Sequence, residues 1–474
     1  MLEGLEVSEV MYSKVDLGDR YDAEYFWKDS LHIQELLEQK GSVIFDKFGD
    51  FVASAFYPAA THLYESGDTP FIRCVDCIGY PLITNEQNEL FEKIPLSFAH
   101  ESGGINLLKK GDFVITKVGS PCYASIIEEH ELVALSRTVL GVKNIRNVDP
   151  YYLLVFLRSR YGFNQLLRQR ELTIQYQLTL ARVKNIQIYI AEIGLQQKIR
   201  EIVITYTEKQ YKSQSLYAQA ETLLLNALGM ADFSPSTENV NVKSFEDSFL
   251  ATGRLDAEHY QTKYEQVEEK IRGYPNGFAT LGEISPNPTN GVEIREYCET
   301  GTPYLRIGDI KQLQINEKSL VFVEPAAAKS LMAKVKLQEG DVLMSRSGSL
   351  GVVCVVEKAW VHSLISSHLI ILRIADKTIT SYFLALFLSS IAGRMQIEKN
   401  SNGGVQPEIN HAALKSILVP KLDMETQTQI ANLVQQSFAL KAQSERLLET
   451  AKRAVEIAIE TDEQTALAFI EAQI

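Results

Sequence analysis

The sequence predicts a duplicated α/β (α+β) chain: two mixed domains and two long helices that pair as an antiparallel coiled coil, relating the halves by a pseudo-twofold axis. Three observations predict it: an internal repeat, two heptad seams and a strand-and-turn signature that occurs twice. The repeat runs through the 474 residues at an offset of 229 to 234. Arg20-Tyr21-Asp22-Ala23-Glu24-Tyr25-Phe26 returns as Arg254-Leu255-Asp256-Ala257-Glu258-His259-Tyr260. Thr69-Pro70-Phe71-Ile72-Arg73 with Asp76 returns as Thr302-Pro303-Tyr304-Leu305-Arg306 with Asp309. Gly111-Asp112 and Gly119-Ser120 match Gly340-Asp341 and Gly348-Ser349, and Gln196-Gln197-Lys198-Ile199 matches Gln427-Thr428-Gln429-Ile430. A unit that occurs twice implies two similar surfaces with related tasks.

Taken in order, the segments are a first domain at 1–190, a helix at 191–229, a polar linker at 230–244, a second domain at 245–420, and a helix with a short tail at 421–474. The linker is marked by Ser234-Pro235-Ser236-Thr237. In each domain a strand, Asp112 to Thr116 or Asp341 to Ser345, follows a Gly and leads to a Gly-Ser turn. Val352 to Val356 reads as the next strand, so Arg346 to Gly351 is a hairpin connection. Tyr151 to Arg168 and Tyr382 to Ile397 read as helices with one apolar face. The long helices carry apolar and small residues at alternating spacings of four and three. The first seam runs from Leu195 through Ile199, Ile202, Tyr206, Ser213 and Ala220 to Ala227, and the second from Ile430 through Ser437, Ser444 and Ala451 to Ala458. Ser213 and Ser444 occupy equivalent seam positions.

Composition narrows the function classes. Apolar residues make up 45% and charged residues 23%, the balance of an ordinary globular protein. Five cysteines without dense spacing suit a reducing compartment, so a cytoplasmic location is expected. Met1 to Glu9 is acidic rather than apolar, and no stretch is long enough to span a bilayer. The net charge of −13 argues against a free-standing DNA binder. Against that, Arg137 to Arg170 holds seven basic residues (Arg137, Lys143, Arg146, Arg158, Arg160, Arg168, Arg170) and one acidic residue, Asp149, a local net of +6. Such a run suits phosphate contact or a solvated helix face.

No catalytic signature is present: the sequence has no Walker loop, no His-Glu-x-x-His and no Gly-x-Ser-x-Gly. Asn287-Pro288-Thr289-Asn290 lacks the second proline and aromatic of amino-methyltransferases. Cys74 and Cys77 match Ile307 and Ile310 in the second repeat, so they are read as buried apolar residues and no metal site is expected. Candidate DNA-contacting residues lie in the hairpins and in the loops aligned across the repeat: Lys117, Ser120, Gln175 and Gln177 in the first domain, and Arg346, Ser349, Asn402 and Gln406 in the second. Arginine and lysine can read guanine, and glutamine and asparagine can read adenine. The phosphate-contact candidates are Arg137, Lys143, Arg158, Arg160, Arg168 and Arg170.

The Gly340 to Gly351 stretch (Gly-Asp-Val-Leu-Met-Ser-Arg-Ser-Gly-Ser-Leu-Gly), the Gly403-Gly404-Val405-Gln406-Pro407 loop and the Leu414 to Pro420 segment before the helix resemble the specificity (S) subunits of type I restriction–modification systems. The resemblance spans nearly the whole chain. The first repeat departs from it: Cys122-Tyr123-Ala124 stands for Leu350-Gly351-Val352, and Gln175-Tyr176-Gln177 for Gln406-Pro407-Glu408. The resemblance implies two target-recognition domains, each reading one half of a split, asymmetric site in double-stranded DNA. The paired helices between them act as a ruler; Leu195 to Leu228 at 1.5 Å per residue is about 51 Å, an upper bound of roughly 15 base pairs on half-site separation. It also implies a non-catalytic subunit that binds no cofactor. Its expected partners are two modification subunits, which carry S-adenosylmethionine and methylate a flipped adenine, together with a motor-nuclease subunit that can join them. A coiled-coil scaffold for protein partners is the competing reading.

Overall fold

The computed structural model describes residues 8–10, 23–55, 62–65, 67–87, 90–119, 122–171, 176–238, 240–311, 313–403 and 406–474. Ser120, Gln175, the start of the first Arg-x-Asp-Ala-Glu motif and the Gly404-Val405 pair lie outside the described residues. The chain forms two compact units, one of residues 1–212 with 440–474 and the other of residues 213–439. Both long helices contribute to both units: Ile193–Ala227 and Met424–Glu460. No helix among the described residues is long and apolar enough to cross a membrane.

In unit one a five-stranded sheet runs in the order Asp50–Ala53, Val139–Lys143, Phe113–Thr116, Ala124–Ile127, Leu82–Ile83. In unit two the corresponding sheet runs Thr289–Asn290, Leu369–Leu372, Val342–Ser345, Val353–Val355. The registers repeat as well: Ile115 pairs with Leu140 and Ala124, and Met344 pairs with Ile370 and Val353. A second sheet in each unit pairs the Thr-Pro strand in parallel with a later strand, Phe71 with Ala134 and Tyr304 with Leu364. The Arg-x-x-Asp motif closes that strand twice with one geometry. Asp76 accepts from the Arg73 amide at 2.8 Å, and Asp309 accepts from the Arg306 amide at 2.8 Å. Each arginine adds a side-chain ion pair at 3.2 Å.

The two helical stretches expected as single elements are each broken in two, at Ser159 and Ser390. Both serines are extended and cap the following turn, accepting from the Gly162 and Gly393 amides. A Cβ on either glycine would overlap the carbonyl oxygen of Phe156 or Phe387, so the tight corner requires glycine. Buried glutamines then clamp the corner helix to a distant strand. Gln165 accepts from the Gln187 amide and donates to its carbonyl at 2.7 and 2.8 Å, and Gln396 does the same with Leu418 at 2.8 and 3.0 Å.

Within each unit the long helices run antiparallel. In unit one Leu195, Ile199 and Ile202 share a core with Ala451, Ala454 and Ala458, and Lys209 donates to Gln443 at 2.8 Å. In unit two Ala220 and Leu224 share a core with Ile430 and Val434. Ser213 pairs with Ser437: each hydroxyl donates to the other's carbonyl, at 2.8 and 2.7 Å. Ser444 instead bonds back to Lys441 in its own helix. At the helix ends Val203, Phe438, Val455 and Ile459 widen the buried stripe, because each end also packs on its domain. The segment expected as a tail forms a helix, Glu463–Gln473, whose Ala466 and Ile470 join the core of unit one.

Candidate nucleic-acid interface

The hairpin that carries the candidate residues is built the same way in both units. A glycine with φ near +86° (Gly111 at 87°, Gly340 at 85°) turns the chain into the strand. The next aspartate accepts from an amide three residues earlier, Asp112 from Lys109 and Asp341 from Gln338. Asp341 is also held by Arg373 at 2.9 and 2.7 Å. At the far end the Thr116 and Ser345 hydroxyls accept from the Tyr123 and Val352 amides at 2.9 Å. The Thr116 and Ser345 carbonyls accept from Cys122 and Gly351 at 3.1 and 3.2 Å. Cys122 therefore corresponds to Gly351, one residue away from the alignment that set it against Leu350. Both adopt positive φ, 82° and 72°.

A returning loop closes against each hairpin. In unit one the Lys117 amide donates to Thr138, and the Lys117 carbonyl accepts from Leu178 at 3.0 Å. In unit two the Arg346 amide donates to His368, and the Arg346 carbonyl accepts from Ile409 at 2.9 Å. Isolated bridges join Val118 to Gln177 and Ser347 to Glu408. The structure thus brings Lys117 to Gln177, and Arg346 to the loop bearing Asn402 and Gln406. Gln177, Ser349, Asn402 and Gln406 are exposed, and Lys117 and Arg346 are half-buried. Asn402 and Glu408 exchange both backbone hydrogen bonds at 2.8 Å. Gly403, at φ 104°, makes that turn possible, because a Cβ there would meet the Gln406 carbonyl at 2.6 Å.

The basic run does not form one patch. Arg137 and Arg160 are exposed, and Lys143 ends a strand half-buried. Arg158 turns inward, contrary to its reading as a phosphate contact: its guanidinium donates to the Ala124 and Cys77 carbonyls at 2.6 and 3.0 Å. Burial pushes its pKa down to about 10. Arg168 donates to the Tyr25 carbonyl at 2.7 Å and to Gln34, and lies 4.1 Å from the Tyr25 ring centroid. Arg170 donates to Leu167 and lies over Tyr176 at 4.2 Å. These two are engaged in structural contacts rather than presented to a ligand. Cys74 and Cys77 are buried, and burial raises the Cys77 thiol far above its usual range.

Three residues of the unit-two site were not singled out by sequence reasoning. Glu408 forms an ion pair with Arg346. His411 Nε2 lies 2.7 Å from Asn290 Oδ1, and burial together with nearby Arg346 lowers its pKa. Glu408 was legible, because it aligns with Gln177 at the repeat offset. Asn290 lies 121 residues from His411, and no sequence pattern joins them.

Comparison with known proteins adds a partial likeness to one family. The profile described as type I restriction modification DNA specificity domain matches residues 280–451. Among curated proteins none matches. Among solved structures the chain is similar to a type I restriction–modification S subunit from M. genitalium, at 13% identity and a TM-score of 0.44, covering 90% of this chain and 95% of that one. It is also similar to the HsdS subunit from Thermoanaerobacter tengcongensis, at 15% identity and a TM-score of 0.26, covering 75% and 82%. The similarity to the type I restriction modification DNA specificity domain is carried by residues 280–451, in the second half of the chain.

Proposed function

We propose that this chain is the sequence-reading subunit of a DNA modification complex. Each domain reads one half of a split, asymmetric site through its hairpin and returning loop. One observation carries the reading: the two units present the same backbone frame with unlike side chains, Lys117 and Gln177 in one, Arg346, Asn402 and Gln406 in the other. A common frame with exchanged side chains is what two independent readers of different base sequences require. Lys117, Gln177, Arg346, Ser349, Asn402 and Gln406 are the proposed base-side residues, and Arg137, Lys143 and Arg160 the phosphate-side ones. The chain supplies no bond-making groups and binds no cofactor. Two methyltransferase subunits carry S-adenosylmethionine and modify adenine, and a motor-nuclease subunit joins them where cleavage occurs. With a net charge of −13, the chain leaves much of the phosphate neutralisation to those subunits.

The test is to co-express the chain with its methyltransferase subunits in a host free of adenine methylation and to map methylated adenines. A split motif that disappears when this chain is omitted supports the reading. A stable complex without sequence-dependent methylation refutes it.

A further inference from the structure

The unit-two site holds a charge pair where the equivalent loop position in unit one, Gln177, is neutral. Arg346 is folded back onto Glu408, with its Nη2 donating to Oε1. The Arg346 side chain is 22% exposed and that of Glu408 is 50% exposed. The pose is not a satisfied one, because the Arg346 Nε–H is buried and has no acceptor. A buried donor without a partner raises the free energy of the conformation that hides it. The guanidinium is therefore held by one carboxylate at one corner while a second donor is left unmet. In unit one the equivalent pair is Lys117 and Gln177, where the loop residue is neutral.

Two consequences follow for a DNA ligand. Guanine presents two acceptors, O6 and N7, on its major-groove edge, which a guanidinium fork can meet together, whereas other bases offer at most one acceptor in that geometry. Drawing Arg346 away from Glu408 is thus compensated best by guanine. Glu408 is half-exposed beside the loop and opposes approach of the phosphate backbone wherever that compensation is missing. An internal group that penalises wrong partners more than the right one raises specificity at some expense of affinity.

Building on the DNA-recognition reading, we propose that Glu408 is a specificity-determining residue of the second domain: it competes with DNA for Arg346, so that the guanidinium is released fully only to a guanine in that half-site. Arg346 is the reading residue, and Glu408 sets how strictly it reads. At the position equivalent to Glu408 the first domain carries the neutral Gln177.

The experiment uses the full chain with its methyltransferase subunits and maps adenine methylation for the unaltered chain, Glu408→Gln, Glu408→Ala and Arg346→Ala. The unaltered chain is expected to require a guanine at one position of one half-site. Both Glu408 variants should raise methylation of sites with another base there by about 10-fold relative to the intact motif. The other half-site should be read as before, which also reports that the variant folds and assembles. Arg346→Ala should abolish the preference at that same position. The proposal is overturned if the Glu408 variants leave the motif unchanged, relax both halves equally, or abolish methylation while the complex remains intact. It is also overturned if Arg346→Ala weakens all sites uniformly, the behaviour of a phosphate contact. If the unaltered chain directs no motif at all, the DNA-recognition reading fails first; a motif that ignores Glu408 sinks this inference alone.

Discussion

Replacing Gln427 by alanine tests how each domain is fastened to the start of its long helix. Gln427 is fully buried. Its amide nitrogen donates to the Leu422 and Thr378 carbonyls at 2.8 Å each, and its oxygen accepts from the Thr380 amide at 2.8 Å. Gln427→Ala strips partners from three backbone groups at once. The Leu422 bond is enclosed, and the two bonds to the 378–380 segment are partly open to water. At about 1 kcal/mol for each partly open bond, and more for the enclosed one, the loss sums to about 3 kcal/mol. The repeat supplies an internal comparison: Gln196 makes two such bonds, to the Asp149 amide and the Ala191 carbonyl, at 2.8 and 2.6 Å. Gln196→Ala should lose about 2 kcal/mol on the same scale. Two-unit chains need not unfold in one step, so the assay is hydrogen exchange resolved along the sequence under increasing urea. Gln427→Ala should speed exchange across residues 378–434 and spare unit one, and Gln196→Ala should do the reverse. The reasoning is refuted if Gln427→Ala behaves like the exposed control Gln464→Ala, or if both variants loosen both units alike.

Three further perturbations probe other parts of the frame. Gly162→Ala forces a Cβ into the Phe156 carbonyl and should destabilise unit one by about 3 kcal/mol, read by thermal unfolding; a shift as small as that of an exposed glycine with open space around it, such as Gly79, would contradict the corner argument. Ser213→Leu places a branched side chain where Ser213 and Ser437 hydroxyls lie 3.1 Å apart, and should lower unit-two stability by about 2 kcal/mol, whereas Ser213→Ala should cost about 1 kcal/mol, both measured by urea unfolding. Burial holds His259 below its ordinary 6.5, despite its contact with the Lys399 carbonyl. A histidine kept neutral by folding takes up its proton first in the unfolded chain. Stability should therefore fall as pH drops below 6.5 and through the lower folded-state value, and His259→Phe should flatten that slope; an unchanged slope would remove His259 as its source.

Sequence alone determined the duplication, the heptad seams and the strands bounded by Gly-Asp and Gly-Ser turns, because these depend on local spacing. Arg73 with Asp76 and Arg306 with Asp309 were legible for the same reason: partners three residues apart find each other within one turn. Tertiary structure decided what depends on distant partners. Arg158 belonged to a basic run by composition, yet carbonyls of Ala124 and Cys77, 34 and 81 residues away, turn it inward. Ser213 meets Ser437 rather than standing beside Ser444, because an antiparallel pairing exchanges which positions face each other. The helices break at Ser159 and Ser390 because Gly162 and Gly393 admit a carbonyl where any side chain would collide, a constraint the apolar periodicity does not record. Glu408 lies 62 residues from Arg346, and only the closure of the loop on the hairpin makes one residue's charge the other's counter-ion. Periodicity encodes which elements form; the packing of remote elements decides which of their charges meet one another and which remain for a ligand.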